Sequence, residues 1–494
     1  MPGPPSFPIG SPQLCLTGFL SRRYALRSRH GAGPQGHVAP SMSLETTPLR
    51  PAQRWLAPAL LVLGLVSPAA ATAAAWRLEP IAGSEGVQAL HGLAFDAQGR
   101  GLLSWDAALR GRVPTAFGGL ASRDPAGGWQ RAPDIAGVQP ESARIHLYGA
   151  EHALLIGRES DDGAVAGVAR RRLVTADGRS DGGFGPLRTL DDFTIASWSA
   201  VNPSGAAVVA WTGERSPFVR VAFRAATRLA FASPRDLAIA SSAAVAVNPT
   251  GDAMLAFTTG KRLAARVRPA GGVWGATVQF GRFASTRGMR LSALFTRDRR
   301  IVVTWSSERR SCGVAVRDRR HTWHVQRLER RCGASAVSGR GASVTPLADS
   351  SGATYVAWTG RTRRGRSAVK FARIDSTGVH KPAILSRQKG ATLDDVAAGP
   401  GRALAVTWTA PRPTARKPYV MASFAAVRRS GRSFGTADRL SPASITVARG
   451  SRVAFQPLTG EPVVAVPYVV GFTVAVGAAV GQPAAALPAP APQP

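Results

Sequence analysis

The chain has 494 residues, too many for one ordinary hydrophobic core, so it is either two or three domains or a repeat array that lets a single domain grow. Lys and Arg outnumber Asp and Glu by 62 to 29, a formal net charge of +33. Such a balance directs attention to phosphates, anionic polysaccharides or acidic membrane surfaces, although abundant Ala, Gly, Arg and Pro throughout the chain supply part of the basic excess by composition alone.

Residues 1–41 are rich in Pro, Gly, Ser and Arg, show no apolar period and read as a disordered extension or an upstream start-site overcall. Residues 42–73 read as a secretory signal peptide. Arg50 and Arg54 precede the apolar run WLAPALLVLGLV (Trp55 to Val66), which is followed by small residues suited to cleavage. The run is about 12 residues, short of the ~20 that span a bilayer. The remaining chain is therefore expected to begin near Ala74 and to be secreted or displayed at the extracytoplasmic surface. There Cys312 and Cys332 are free to form a disulfide, with two free thiols as the alternative.

From residue 74 to 482 one pattern recurs. Eight stretches carry a turn signal and then a short apolar run, most of them ending on an aromatic: at Trp105, Gly157, Trp211, Phe257, Trp305, Trp358, Trp408 and Val466, at intervals of 46 to 58 residues. In NPSGAAVVAW (Asn202 to Trp211) and NPTGDAMLAF (Asn248 to Phe257) a glycine stands six positions before the aromatic. Short apolar segments punctuated by Asn-Pro-x-Gly turns make each unit a set of strands. After the aromatic come a polar loop, a third strand such as FVRVAFRA (Phe218 to Ala225), and a fourth opening on an aromatic, as in WQRAPDI or FGPLRTL.

The second strand is apolar on both faces, which requires a neighbouring sheet on each side. The predicted fold is thus all-β: a β-propeller of about eight four-stranded blades, or seven if the weak second copy is an insertion. The last copy lacks a fourth strand, while WRLEP (Trp76 to Pro80) matches the fourth strand WQRAP before any hairpin has begun. Pairing the two closes the ring and removes an open sheet edge. Val463 to Val480, uncharged over 18 residues, has a rival reading as a membrane anchor; Pro467, its match to the second and third strands, and the absence of later Lys or Arg favour the blade. Residues 483–494 form a Pro/Ala-rich disordered tail.

The turn SRDPAGGW (Ser122 to Trp129) resembles the Asp-box of the sialidase-like propeller superfamily, with one extra residue between Asp124 and Gly127; RDRRHTW to Trp323 and DSTGVHK around Asp375 are weaker echoes. The resemblance implies a propeller, and a sialidase-like glycoside hydrolase as the enzymatic alternative. That family's catalytic tyrosine, glutamate, aspartate and arginine set has no assignable match among Tyr148, Tyr355, Tyr419 and Tyr468 or their surroundings. No metal spacing, Gly-rich phosphate loop, Ser-His-Asp elbow or CxxC is present, so no cofactor and no catalytic residue are assigned.

Loops between second and third strands are rich in base: Arg309 and Arg310, Arg361, Arg363, Arg364 and Arg366, and Arg412, Arg416 and Lys417. Converging on one rim they would capture anions. The competing reading is that wet loops in an arginine-rich chain are arginine-rich, since opposite turns such as RDRRH are basic too. The reading favoured by sequence is a secreted, non-catalytic binding or scaffold propeller for anionic cell-envelope polymers, monomeric, with nucleic acid bound only non-specifically.

Overall fold

The computed structural model describes residues 76–480 apart from short internal stretches, the longest being 108–117, 161–170, 333–343, 412–420 and 442–449. The leader expected over residues 42–73, the extension before it and the tail after 482 lie outside the described residues.

The strands pair into eight antiparallel sheets. In chain order their inner strands are Val87–Phe95, Val138–Tyr148, Thr194–Val201, Ala243–Val247, Arg290–Phe295, Val344–Ala348, Thr392–Ala398 and Arg452–Phe455, which define blades 1 to 8. Each inner strand touches the inner strand of the next blade, and that of blade 8 touches that of blade 1, which makes the arrangement a closed propeller. The weak second copy forms a four-stranded sheet of its own, so it is a blade and no insertion.

Burial follows the repeat. The second strands, among them Ala207–Gly213 and Ile301–Ser306, are buried on both faces. Their terminal aromatics Trp105, Trp211, Phe257, Trp305, Trp358 and Trp408 are all at most 3% exposed. Apolar cores therefore lie between blades, one for each neighbouring pair. Val463 and Ala465 of blade 8 pack with Leu103 and Trp105 of blade 1 in the core that completes the circle. Burying one such side chain contributes about 1.5–3 kcal/mol.

The residue opposite the aromatic is fitted to it. Gly119 and Gly313 face Trp105 and Trp305, and a Cβ there would come within 2.0 and 2.2 Å of the indole. The turn chemistry is equally local. Asn202 Oδ1 accepts the N–H groups of Ser204 at 3.1 Å and Ala206 at 2.8 Å, while its Nδ2 donates to the carbonyl of Asn248 in the next blade at 2.8 Å. Asn248, Asp349 and Asp96 cap their own turns in the same manner. Gly205 then takes φ 90°, a conformation that suits glycine.

The ring closes as the sequence implies. Strand Arg77–Pro80 pairs antiparallel with Thr473–Val480, in register Arg77 to Val480 and Leu78 to Ala479, and supplies the outer strand of blade 8. Trp76 Nε1 donates to Asp438 of blade 7 at 3.2 Å. The uncharged stretch 463–480 forms the second and third strands of that blade, and among the described residues no helix is long and apolar enough to cross a membrane. Blade 6 departs slightly from the four-strand plan. Its outer strand is split into Gly378–Val379 and Ala383–Ile384, both paired to Ser367–Asp375, with Pro382 between them unable to donate to the ladder.

An arginine-walled cleft across three blades

In an antiparallel blade the turns after the first and third strands emerge at one end of the ring, and the turn after the second strand at the other. A cleft of about 780 Å³ opens at the first of these ends, across blades 5, 6 and 7. Blade 5 contributes Arg300 and Arg319, and blade 6 contributes Asp349, Ser351, Gly352, Ala353, Tyr355 and Arg373. Blade 7 contributes Arg402, Arg428 and Arg432. Among the described lining residues there are six arginines and a single carboxylate.

That carboxylate is fully occupied. Asp349 Oδ1 accepts Ser351 N–H at 3.0 Å, Ser351 Oγ at 2.6 Å and Ala353 N–H at 3.1 Å. Its Oδ2 accepts the Tyr355 hydroxyl at 3.1 Å and Arg428 Nη2 at 3.4 Å. Burial pushes the carboxyl up, but the bonds from Ser351, Tyr355 and the two backbone N–H groups outweigh it and hold Asp349 below the ordinary carboxylate value. It is an anchor for its neighbours. Arg428 Nη2 also donates to the Tyr355 oxygen at 3.0 Å and to the Arg402 carbonyl at 3.4 Å, and its guanidinium lies over the Tyr355 ring at 4.6 Å. Arg428 is thus fixed in place; Arg319, Arg373, Arg402 and Arg432 are solvent-exposed.

The backbone at this end is unusual. Six positions before the residue that ends the apolar run of the second strand, where Gly99, Gly205, Gly251, Gly352 and Gly460 take positive φ, blade 5 has Arg299 at φ 63° and blade 7 has Arg402 at φ 64°. A non-glycine residue in this region costs roughly 1–2 kcal/mol. The two substitutions fall on the two blades that wall the cleft. The Arg402 turn is tied to blade 6 by its N–H, which donates to Ser350 Oγ at 3.0 Å.

The residues singled out by sequence lie elsewhere. Arg363, Arg364 and Arg366 are exposed on the turn after the second strand of blade 6, at the opposite end of that blade from Asp349. Arg361 is partly buried and donates from Nη1 to the Gly365 carbonyl at 3.1 Å. Arg309, Arg310, Arg412, Arg416 and Lys417 lie outside the described residues. At that same end a second cavity, about 580 Å³, is lined by Lys261 and Arg287 with Ser241, Thr258, Ser285 and Thr286. Cys312 and Cys332 are bonded, with Cα atoms 5.9 Å apart. Among the described residues no group of His, Cys, Asp and Glu is arranged to hold a metal ion.

The turns that resemble an Asp-box differ from one another. Asp318 Oδ1 accepts Thr322 N–H at 2.9 Å, and Trp323 stacks on Phe280 of blade 4 with centroids 3.8 Å apart. In the Asp124 turn the bond from Gly127 N–H at 3.0 Å goes to the Asp124 main-chain carbonyl.

No protein family and no curated protein matches the sequence. Solved structures of similar shape include an ulvan lyase of polysaccharide lyase family PL25, 10% identical, covering 82% of this chain and 96% of that one with a TM-score of 0.49. AofleA from Arthrobotrys oligospora is 12% identical over 61% of this chain and 88% of its own, with a TM-score of 0.35. A prolyl endopeptidase is 12% identical over 65% and 44%, with a TM-score of 0.41.

Proposed function

We propose that this protein is a binding propeller that captures anionic polysaccharide in the cleft across blades 5 to 7. The observation that carries this reading is the convergence of six arginines from three consecutive blades on one cavity of about 780 Å³, within the ~300–1,000 Å³ range of ligand sites. Arginine forks match carboxylate and sulfate oxygens two at a time, and gathered cations raise a local potential beyond what net charge alone gives. The leader expected at residues 42–73 would deliver such a protein to anionic polymers outside the cytoplasm.

The alternative of sialidase-like hydrolysis needs a tyrosine nucleophile with a glutamate beside it and a separate aspartate as acid/base, and most other glycoside hydrolases need two carboxyl groups flanking the scissile bond. The cleft offers a single carboxylate among its described lining residues, Asp349, ionised and already accepting from Ser351, Ala353, Tyr355 and Arg428. Binding is the function these groups support.

The test is calorimetric titration with polygalacturonate, with neutral dextran as the control. Heat with the former alone, an affinity falling steeply with salt, and its loss in Arg319→Gln/Arg432→Gln are expected. Full affinity in that variant, together with loss in Arg363→Ala/Arg364→Ala, would move the site to the opposite rim.

A further inference from the structure

We propose that a small inorganic anion from solution binds Arg123 in the seam where blade 1 meets blade 8, and completes the closure of the ring there. The site lies outside the cleft and does not depend on it. Arg123 ends the third strand of blade 1, Gly118–Arg123, opposite Gly101, the first residue of the second strand. The same register position is arginine in five other blades: Arg179, Arg224, Arg268, Arg317 and Arg428. Arg123 is one copy of a repeated device, and its counterparts show what the device needs.

Arg224, 2% exposed, reaches back to blade 2, where Nη1 donates to Asp177 and the guanidinium lies over Tyr148 at 5.3 Å. Its Nη2 donates to the Gly205 carbonyl at 3.1 Å. Arg428 likewise reaches back to Asp349 and Tyr355 of blade 6. In both, a carboxylate balances the charge and an aromatic ring covers it.

Arg123 is buried as deeply, 4% exposed, but its Nε and Nη1 are enclosed and find no hydrogen-bond partner among the described residues. Side chains alternate along a strand, and Ala121 packs with Val463 and Ala465, so Arg123 faces blade 8. There the second and third strands, Pro462–Val470 and Thr473–Val480, carry no charged residue. The register position of Asp177, opposite Leu154, falls in blade 8 on Val480, opposite Val463. The place of Asp349 is taken by Gln456, whose Oε1 accepts from Thr459 and whose Nε2, a donor only, lies against Gly99 of blade 1. Glu79 of the outer strand sits opposite Ala478 and has partners other than Arg123, while Asp124, next to Arg123 in the chain, is exposed.

Arginine stays protonated in a protein, and a buried charge without a counter-charge is strongly destabilising. A negative ion taken from solution restores the balance that Asp177 and Asp349 supply elsewhere. The approach is open to a small one: the adjoining turn is Gly127 and Gly128, without side chains, and a Cβ on Gly127 would stand 3.8 Å from Arg123 Nη2. So deep a guanidinium is reached by chloride or phosphate and not by a polymer.

The experiment is a set of thermal melts at one ionic strength, with sodium chloride or sodium phosphate replacing sodium gluconate, whose anion is bulky. Four proteins are used: the unaltered chain, Arg123→Met, Arg123→Gln and, as a control from the cleft, Arg319→Gln/Arg432→Gln. The midpoint of the unaltered chain should climb with the logarithm of chloride or phosphate concentration, by about 2 °C per tenfold, as one-site binding to the folded state requires. Both Arg123 variants should lose that climb and, in gluconate, melt at or above the unaltered chain, because they no longer bury an unbalanced charge. The cleft variant should keep the climb.

A midpoint of the unaltered chain that ignores both anions, or a climb that is equal in the Arg123 variants, overturns the anion site. Arg123 variants that melt lower by the same margin in every salt overturn it as well and make Arg123 a packing residue. A climb lost in the cleft variant and kept in the Arg123 variants overturns the seam site and moves the responsive anion to the cleft.

Discussion

Trp211 of blade 3 donates its indole N–H to Asp191, at the end of the outer strand of blade 2, at 2.7 Å. The same Asp191 oxygen accepts Arg220, which is the cross-strand partner of Trp211 in its own sheet. Blades 5 and 6 repeat the device: Trp358 Nε1 donates to Glu329 at 3.2 Å, and Lys370, opposite Trp358, binds the same carboxylate. The tryptophan that marks the repeat therefore does more than fill a core, since it ties its blade to the one before.

Asp191→Ala should leave the indole N–H buried and unpaired, while Arg220 keeps its second acid partner, Asp236, at 3.2 Å. The unpaired indole costs about 1–3 kcal/mol, and a loss of that order in denaturant melts is expected. Trp211→Phe keeps most of the apolar area and should cost less. A double variant no worse than Asp191→Ala alone would show that the two residues act as one unit; additive losses would show that they do not.

The end strand gives a second prediction. Removing residues 76–80 leaves Thr473–Val480 as a bare edge and deletes the Trp76 to Asp438 bond. The truncated protein should melt lower and self-associate on size-exclusion chromatography, because an unpaired edge templates further strands. Equal melting and a single monomer peak would mean that closure is carried by the apolar core between blades 8 and 1 alone.

The bridge between Cys312 and Cys332 joins residues 20 apart, both 0% exposed. In the chain-entropy model a loop of that length stabilises by about 3 kcal/mol. Cys312→Ser/Cys332→Ser should lose that order of stability. The unaltered protein should show no titratable thiol from this pair until it is both unfolded and reduced.

Blades 2 and 3 meet at a group sensitive to acid. His146 on the inner strand of blade 2 bonds Ser199 of blade 3 at 2.8 Å; burial, and secondarily the nearby Arg144 charge, lower its pKa to about 4. The folded protein thus binds this proton less readily than the unfolded chain. The contribution of neutral His146 is complete above the unfolded value of about 6.5 and is lost progressively as pH falls from there to about 4. His146→Gln should flatten the pH dependence of stability in that window; an unchanged profile would assign the acid sensitivity to other groups.

The architecture was legible because a repeat writes its geometry many times. A glycine six positions before a buried aromatic, a second strand apolar on both faces, and an orphan fourth strand at the N-terminus required a closed ring, and strands Arg77–Pro80 and Thr473–Val480 supply its seam. The cleft was not legible in the same way, because its arginines are scattered from Arg300 to Arg432 and become neighbours only when three turns are set side by side. Loop charge drew attention instead to Arg361 through Arg366, on the other end of blade 6. Nor could spacing pair Asp191 with Trp211, since the partner sits on the preceding blade. One signal was available all along: copies five and seven carry Arg299 and Arg402 where five other copies have glycine.

Those two positions supply the last prediction. Arg299 and Arg402 hold left-handed backbone, and the contacts of their turns are made by main-chain atoms: Arg299 N–H to the Thr296 carbonyl at 3.0 Å, Arg402 N–H to Ser350 Oγ at 3.0 Å, and Arg428 to the Arg402 carbonyl at 3.4 Å. Glycine keeps all of these and relieves the roughly 1–2 kcal/mol cost of the conformation, against about 0.5–1 kcal/mol of added freedom in the unfolded chain. Arg299→Gly and Arg402→Gly should therefore be neutral to about 1 kcal/mol more stable. Gly205→Ala, at φ 90° with Tyr148 2.7 Å from the new Cβ, should be destabilised by about 1–3 kcal/mol. If arginine is held there for the cleft, Arg402→Gly gains or keeps stability while losing affinity for polygalacturonate, the trade expected where a strained residue serves a site. Melting curves and titrations on the same preparations decide it: a variant that is no less stable and binds as well as the parent would leave the strain at Arg402 without a function.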